Sequence, residues 1–580
     1  MQMRSTGLIF IVVGLCALAT ISCGEGGMFS AETATPELAV FTPTVVALPP
    51  DASTAARIRA QGYLLVGVRF DDEPFGIVDD VGDLVGFDVD LAREFARRWL
   101  GDPNAVQFVQ VTNASVTDRI ANDQVNLVIG ALTPHQSDAK VLDYSVPYYY
   151  DGLSLAVRVS SSITNTTIIA SPRDLGGVPV GIVDESDTES LLLSAAQGAV
   201  PMTINYPNYY AAMAGLENGV LGAVVGPRRT LERLTLGSTE VGVLPRFTRN
   251  SYAIGVPKNE GSLLDLVNVT LMDVVNDGTY DQLYRKWFPG AERPNLENWM
   301  GTSRYAFDSL GDTLTSSPVT IQDIETRGYL VVAAVDNMLP FSDFDANGVA
   351  QGFEADLART LAGRWLDNVT AIQFSAYTEE AGVAALQSGQ VDLLIGRIPH
   401  TMRREDEIDF SQAIYEDGIG LLVGAESGVS GLNGLNGAAV AVTTGNNAAD
   451  VIQKAALESG VVVSIQPVGD ANEALAGVAD GRYAAFADWR SDLLNLAYTY
   501  SGFLVLDDRL TSRPLAMGLR QGDGAFRDLL NLSLQALAAE GTYAAIYDDW
   551  FGTDPPLSLE VWPGVPYRPL KIRRSPTPAP

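Results

Sequence analysis

Two cysteines and two histidines among 580 residues set the first limits on this chain. Both cysteines, Cys16 and Cys23, lie close to the N-terminus, so the rest folds with neither disulfides nor thiol chemistry. His135 and His400 each follow a proline with no ligand spacing around them, which argues against a metal centre. Basic residues are also scarce. Lys and Arg number 38 against 70 Asp and Glu, a formal charge of −32. That balance argues against nucleic acid as a partner and against adsorption to anionic lipid, since both need a positive surface. No HExxH, GxSxG or GxxxxGK[ST] motif occurs, which removes the hydrolases and nucleotide-binding proteins that depend on them. No cofactor is expected.

The N-terminal run from Gly7 to Ile21 is apolar but too short to span a membrane comfortably, and Arg4 precedes it. It reads as a signal peptide over residues 1–22. Its ending, Ile21-Ser22-Cys23, resembles the lipobox of bacterial lipoproteins, with Thr20 where that pattern usually has Leu. The resemblance implies lipidation of Cys23 and a membrane tether without a spanning helix. Residues 23–54 are rich in Thr, Pro, Ala and Gly without sustained periodicity and are expected to form a flexible stalk.

A duplication accounts for most of the remaining chain. Residues 62–152 recur at 328–418, with about a third of the positions identical. Each copy starts with an apolar run, YLLVGV or YLVVAAV, suited to a buried strand, and continues into FDVDLAREFARRWL or FEADLARTLAGRWL, where apolar residues fall at helical spacing. Strands alternating with helices predict a mostly parallel α/β sheet. The expected organisation is a first domain over 55–290, a linker over 291–318, a second domain over 319–552 and a Pro-rich, solvated tail over 553–580 with Lys571, Arg573 and Arg574.

Both copies carry, in order, Pro-Phe, Gly-Phe-x-x-Asp-Leu-Ala, a second apolar strand, a polar loop, an Asp-[Tyr/Phe]-Ser triplet and a closing Gly-Thr-Tyr with Trp-Phe. This series resembles bacterial extracellular solute-binding protein family 3, whose members serve polar amino-acid ABC transporters. The resemblance implies two tandem periplasmic-binding-protein type II domains, each with two α/β lobes joined by two hinge crossings. Those crossings are expected near Gly152 and Ser251, and near Gly418 and Pro514. A solute would lie between the lobes and be sequestered by closure.

An α-amino acid needs a guanidinium for its carboxylate and a carboxylate for its ammonium. In the second copy Arg404 falls at the family's carboxylate-binding Arg and Asp488 at its ammonium-binding Asp. Asn446 and Asn447 occupy the place of a polar turn that also meets the carboxylate. Met338 and Glu379 fall at the side-chain clamp, and Arg397 and Tyr377 are within reach of the cleft. Glu379 suits a cationic or amide-bearing ligand unless Arg397 neutralises it. In the first copy Asp138 stands in place of Arg404, Gly226 in place of Asp488 and Asp72 in place of Met338. Either that cleft takes something else, such as a cation, or the domain is structural.

The resemblance therefore implies a lipid-anchored, extracytoplasmic receptor that passes an amino-acid-like small molecule to an ABC transporter permease, without catalysis. Two rivals stay open: a cyclohexadienyl-dehydratase-like enzyme using Glu379 as an acid, and a ligand-sensing module for a separate signalling partner.

Overall fold

The structure, a computed structural model, describes residues 49, 51–112, 114–159, 169–183, 188–291, 293–313, 319–445, 447–553 and 559–572. The leader with Cys23, nearly all of the stalk, and Asn446 lie outside the described residues. Among the described residues no helix is long and apolar enough to cross a membrane. The two repeats belong to one compact unit.

Each repeat opens with a short helix, Thr54–Gln61 or Thr320–Arg327, leading into a buried strand, Leu64–Val68 or Leu330–Val335. In the first lobe Leu64–Val68 lies parallel between Val106–Gln110 and Leu127–Val128, and Gly255–Pro257 returns antiparallel between Leu127–Val128 and Leu142–Tyr144. The second repeat copies that order with Ile372–Tyr377, Leu330–Val335, Leu393–Ile395, Gly518–Leu519 and Asp409–Phe410. The second lobes match as well: Met202–Tyr206, Pro179–Val183, Ala223–Pro227, Leu153–Arg158 and Val241–Val243 correspond to Ser464–Val468, Ala439–Thr443, Ala485–Trp489, Ile419–Gly424 and Phe503–Val505.

Two-stranded antiparallel ribbons join the lobes, Tyr149–Asp151 with Asn250–Tyr252 and Tyr415–Asp417 with Arg513–Leu515. Chain crossings thus fall where Gly152, Ser251, Gly418 and Pro514 stand. Glycine is required at two of them. A Cβ on Gly152 or Gly418 would lie 2.1 or 2.0 Å from the carbonyl oxygen of Thr248 or Thr511, too close for any side chain.

The repeated motifs meet in space. Asp90 and Asp356, from Gly-Phe-x-x-Asp, accept hydrogen bonds from the indoles of Trp287 (2.7 Å) and Trp550 (2.9 Å) of the closing helices. Trp99 and Trp365 donate to Thr270 and Ser533, each at 2.8 Å. Phe75 and Phe87, or Phe341 and Phe353, form the floor of an aromatic cluster closed by Phe288 or Phe551. Such ring pairs contribute about 0.5–1.5 kcal/mol each beyond buried area.

The connector and tail, expected to be a linker and a solvated end, are packed where they are described. Leu296-Glu297-Asn298-Trp299-Met300-Gly301 and Leu559-Glu560-Val561-Trp562-Pro563-Gly564 form a further repeat, and each lies against the other domain. Trp299 is fully buried and stacks on His400 of the second repeat at 3.6 Å, while Trp562 packs edge-on to Tyr144 of the first at 5.1 Å. The Met402 amide donates to the Met300 carbonyl (3.1 Å), and the Gln136 amide donates to the Pro563 carbonyl (3.0 Å). One bond is made twice, as about a two-fold axis. Near the C-terminus Lys571 pairs with Asp367 at 2.5 Å, and the Ile572 amide donates to the Trp365 carbonyl at 2.8 Å.

Charge is buried along the same boundary. Lys258 bonds Asp143 at 2.7 Å and also Asp528 of the other repeat, while Arg527 bonds Asp409 at 3.3 Å and approaches Asp143 at 3.8 Å. Buried ions need such pairing to offset desolvation. Asp265 and Glu405, buried beside Asp409, are pushed well above the usual carboxyl range by burial and by that neighbour. Tyr305 donates to Asp265 at 2.9 Å and Tyr567 to Asp528 at 2.6 Å; the two aspartates match by repeat register, and the two tyrosines are one residue apart in it.

Candidate ligand site in the second repeat

In open α/β sheets ligands gather outside the carboxyl ends of the strands. Met338 follows Leu330–Val335, Glu379 follows Ile372–Tyr377 and Arg397 follows Leu393–Ile395; on the other lobe Asn447 follows Ala439–Thr443 and Asp488 lies in Ala485–Trp489. The topology thus gathers residues from distant stretches of sequence at one mouth.

Arg404 sits in a one-turn helix, Met402–Glu405, whose first turn is capped by Thr401 Oγ1 accepting from the Arg404 amide at 3.2 Å. Its Nε and Nη2 both donate to Glu379 Oε1, at 2.9 and 2.5 Å, and its Nη1 donates to Glu407 Oε2 at 2.7 Å. Burial opposes the charge, but Glu407 and Glu379 outweigh it and hold the guanidinium protonated. Only 6% of the Arg404 side chain is exposed against 31% for Glu379, so the pair opens to solvent on the Glu379 side. The polar loop is therefore ion-paired and buried. Arg404, rather than Arg397, neutralises Glu379, which corrects the pairing considered from sequence: the two share one lobe while Arg397 points to the other.

Arg397 reaches across the cleft to Asp492 and lies 3.5 Å from Ser491 Oγ. Asn495 Nδ2 crosses as well, donating to the Leu339 carbonyl at 2.7 Å. The lobes are thereby drawn together. The backbone that aims Arg397 is held by Glu354, which accepts from the amides of Gly396 (2.8 Å) and Arg397 (2.7 Å) and is nonetheless pushed up to about 7 by burial. At the hinge Arg513 bonds Asp417 and stacks over Trp489, its guanidinium carbon 3.7 Å from the ring centre.

On the second lobe Thr443 Oγ1 donates to Asp488 Oδ2 at 2.7 Å, and the Trp489 amide donates to Asp488 Oδ1 at 2.8 Å. Asn447 begins the helix Ala448–Glu458 and is exposed. Met338 closes a tight turn, its amide donating to the Ser342 carbonyl at 2.8 Å. A separate cavity of about 470 Å³, lined by Leu432, Ala455, Glu458 and Arg509 among others, lies away from all of these residues.

Residues 64–290 and 330–553 each match the family described as bacterial extracellular solute-binding proteins, family 3. The chain belongs to that family. It carries the type II binding-protein domain twice in tandem, and family members are extracytoplasmic. Among curated relatives, the glutamine-binding protein GlnH of an ABC transporter in Bacillus subtilis is 25% identical over 236 residues, 40% of this chain and 84% of that protein. The glutamine-binding protein of Geobacillus stearothermophilus is 26% identical, covering 44% of this chain and 95% of its own length. The glutamate/glutamine/aspartate/asparagine-binding protein BztA of Rhodobacter capsulatus is 30% identical over 39% of this chain and 69% of its own. A solved ancestral cationic amino acid solute binding protein is 28% identical, matched over 41% of this chain and all of that one with a TM-score of 0.36. The curated relatives are binding proteins and not enzymes, which sets the elimination chemistry aside.

Within the family frame, several neighbours of the expected residues escaped sequence reading: Thr443 and Asp492 in the second repeat, and Arg229 and Tyr209 in the first. Alignment of the two copies carries the signal for three of them, because Asp492 faces Thr230, Ser491 faces Arg229 and Ala471 faces Tyr209.

Proposed function

We propose that this chain is a lipid-anchored extracytoplasmic solute-binding protein that captures an amino acid or a similar small polar solute and delivers it to an ABC transporter permease, mainly through the second repeat and without catalysis. Cys23 is the anchor, residues 23–54 the stalk, and 55–290 and 319–552 the two binding-protein domains. The carrying observation is that Arg404 and Asp488 stand on opposite lobes at the strand ends of the second repeat, while the first repeat has Asp138 and Gly226 there.

Glu379 holds the Nε and Nη2 edge of Arg404, the edge a ligand carboxylate fits as a bidentate pair. On binding, the ligand carboxylate exchanges for Glu379, the ammonium goes to Asp488, and Glu379 turns to the ligand side chain with Met338. Asn446 and Asn447 supply further donors, and the Arg397 to Asp492 contact holds the lobes closed. Relatives that bind glutamine and acidic or amide amino acids support this ligand class.

Titration calorimetry of the whole soluble chain with a panel of amino acids tests the reading. Arg404→Ala and Arg404→Lys should each weaken binding at least about tenfold, ~1.4 kcal/mol, because neither offers the planar fork. Asp138→Ala should leave affinity unchanged. Binding that survives both Arg404 substitutions in a folded protein would reject the assignment.

A further inference from the structure

We infer that the cleft of the first repeat is occupied by the protein's own side chains: Arg229 is a tethered guanidinium ligand, with Tyr209 beside it, and this repeat stays closed without any solute. Where the second repeat has Ser491, the first has Arg229, at the start of the helix Arg228–Leu234 on the second lobe. Its Nη1 reaches the opposite lobe, lying 2.8 Å from Asp72 Oδ1 and donating to the Glu73 carbonyl at 3.0 Å. Its Nε donates to Asp151 Oδ2 of the hinge strand at 3.1 Å, and its guanidinium carbon lies 4.6 Å from the centre of the Phe75 ring. A cation held by two carboxylates, a carbonyl and an aromatic face is fully recognised.

Two of the three positions at which the first repeat departs from the candidate site of the second, Asp72 and Gly226, take part in this arrangement. Asp72 stands in place of Met338, so the first lobe contributes an anion where the second repeat has a thioether. Gly226 stands in place of Asp488, and a Cβ there would fall 2.5 Å from Tyr209 Cε1. Tyr209 itself stands in place of Ala471. Ring and missing side chain are complementary: the phenol fills the space that Asp488 and a solute ammonium would share. The cross-lobe pair is also reversed in polarity and better shielded. Arg229 and Asp72 are 17% and 15% exposed, whereas Arg397 and Asp492 of the second repeat are 16% and 41% exposed. The latent site is therefore selective for a guanidinium, and its resident occupant excludes free ones.

The test uses the full soluble chain with the leader cysteines absent and paired spin labels at Val81→Cys and Leu236→Cys, exposed positions on the two lobes of the first repeat. The unaltered cleft should give one narrow distance that no amino acid or guanidinium salt moves. Arg229→Ser, the residue of the second repeat, should add longer distances, and guanidinium chloride at non-denaturing concentration should restore the narrow one. Asp72→Met breaks the contact from the opposite lobe and should also add longer distances. A distance in the unaltered protein that shifts with an amino acid overturns the inference, as does a distribution that stays narrow in both variants. Amino-acid binding by the second repeat, followed separately by calorimetry, is independent of either outcome.

Discussion

His400 is enclosed by Trp299 at 3.6 Å and Phe410 at 4.1 Å, with Nε2 hydrogen-bonded to Glu405 at 2.7 Å. Burial depresses its pKa from 6.5 to about 3, against the pull of Glu297. The unfolded chain therefore binds the extra proton first, and stability from this residue is lost as pH falls from 6.5 toward 3. Thermal unfolding should show the gap between wild type and His400→Phe shifting in favour of the variant as pH falls below 6.5. At this scale the sequence was partly legible. Arg404 and Asp488 could be nominated only through the family pattern, at whose carboxylate- and ammonium-binding positions they fall. That Arg404 already holds Glu379 could not be read, since the short helix that carries Arg404 and the helix that carries Glu379 meet only in the folded lobe.

Elements carry the hinge and the exchanged straps. Trp299 fills a closed space between repeats, so Trp299→Ala should cost about 3–5 kcal/mol in urea unfolding, the range for large aromatic truncations in a core. Gly418→Ala places a methyl group against the Thr511 carbonyl and should lower the melting temperature while also weakening solute binding, because it displaces the crossing strand. The same variant with unchanged stability and affinity would show that the crossing is more pliant than its 2.0 Å approach implies. Strands and long helices were readable from hydrophobic period, and the hinge from the family pattern. The straps were not recognised, although Leu-Glu-x-Trp-x-Gly stands in both; proline, glycine and serine around them look like linker composition. Composition reports the lack of a regular element, and says little about packing.

At the scale of the molecule the two repeats form an internal pseudo-dimer. Each lends a strap to the other, and the ion network of Lys258, Asp143, Asp528, Arg527 and Asp409 straddles the boundary. Deleting residues 559–580 should increase proteolysis inside the first repeat, at the far end of the chain, because Tyr144, Gln136 and Ser251 lose Trp562, Pro563 and Glu560. Limited proteolysis with site mapping checks this, and unchanged protection of the first repeat would reject strap exchange as a source of its stability. A cavity of about 140 Å³ lies between the two hinges, lined by Tyr150, Arg249, Glu297, Gln412, Glu416 and Glu560 among others. The repeats should thus be assayed together, as one folding unit.

By itself the sequence determined the duplication, the two-lobed α/β fold of each copy and the family, because those depend on apolar periodicity and on motifs whose order survives divergence. It also located the charge differences between copies. Tertiary structure alone decided which charges meet: Arg404 with Glu379, Arg397 with Asp492, and Arg229 with Asp72 across a cleft. Side chains that lie tens of residues or more apart along the chain become neighbours only after the sheets, hinges and straps have fixed their distances, and electrostatic and steric pairing act on distance in space.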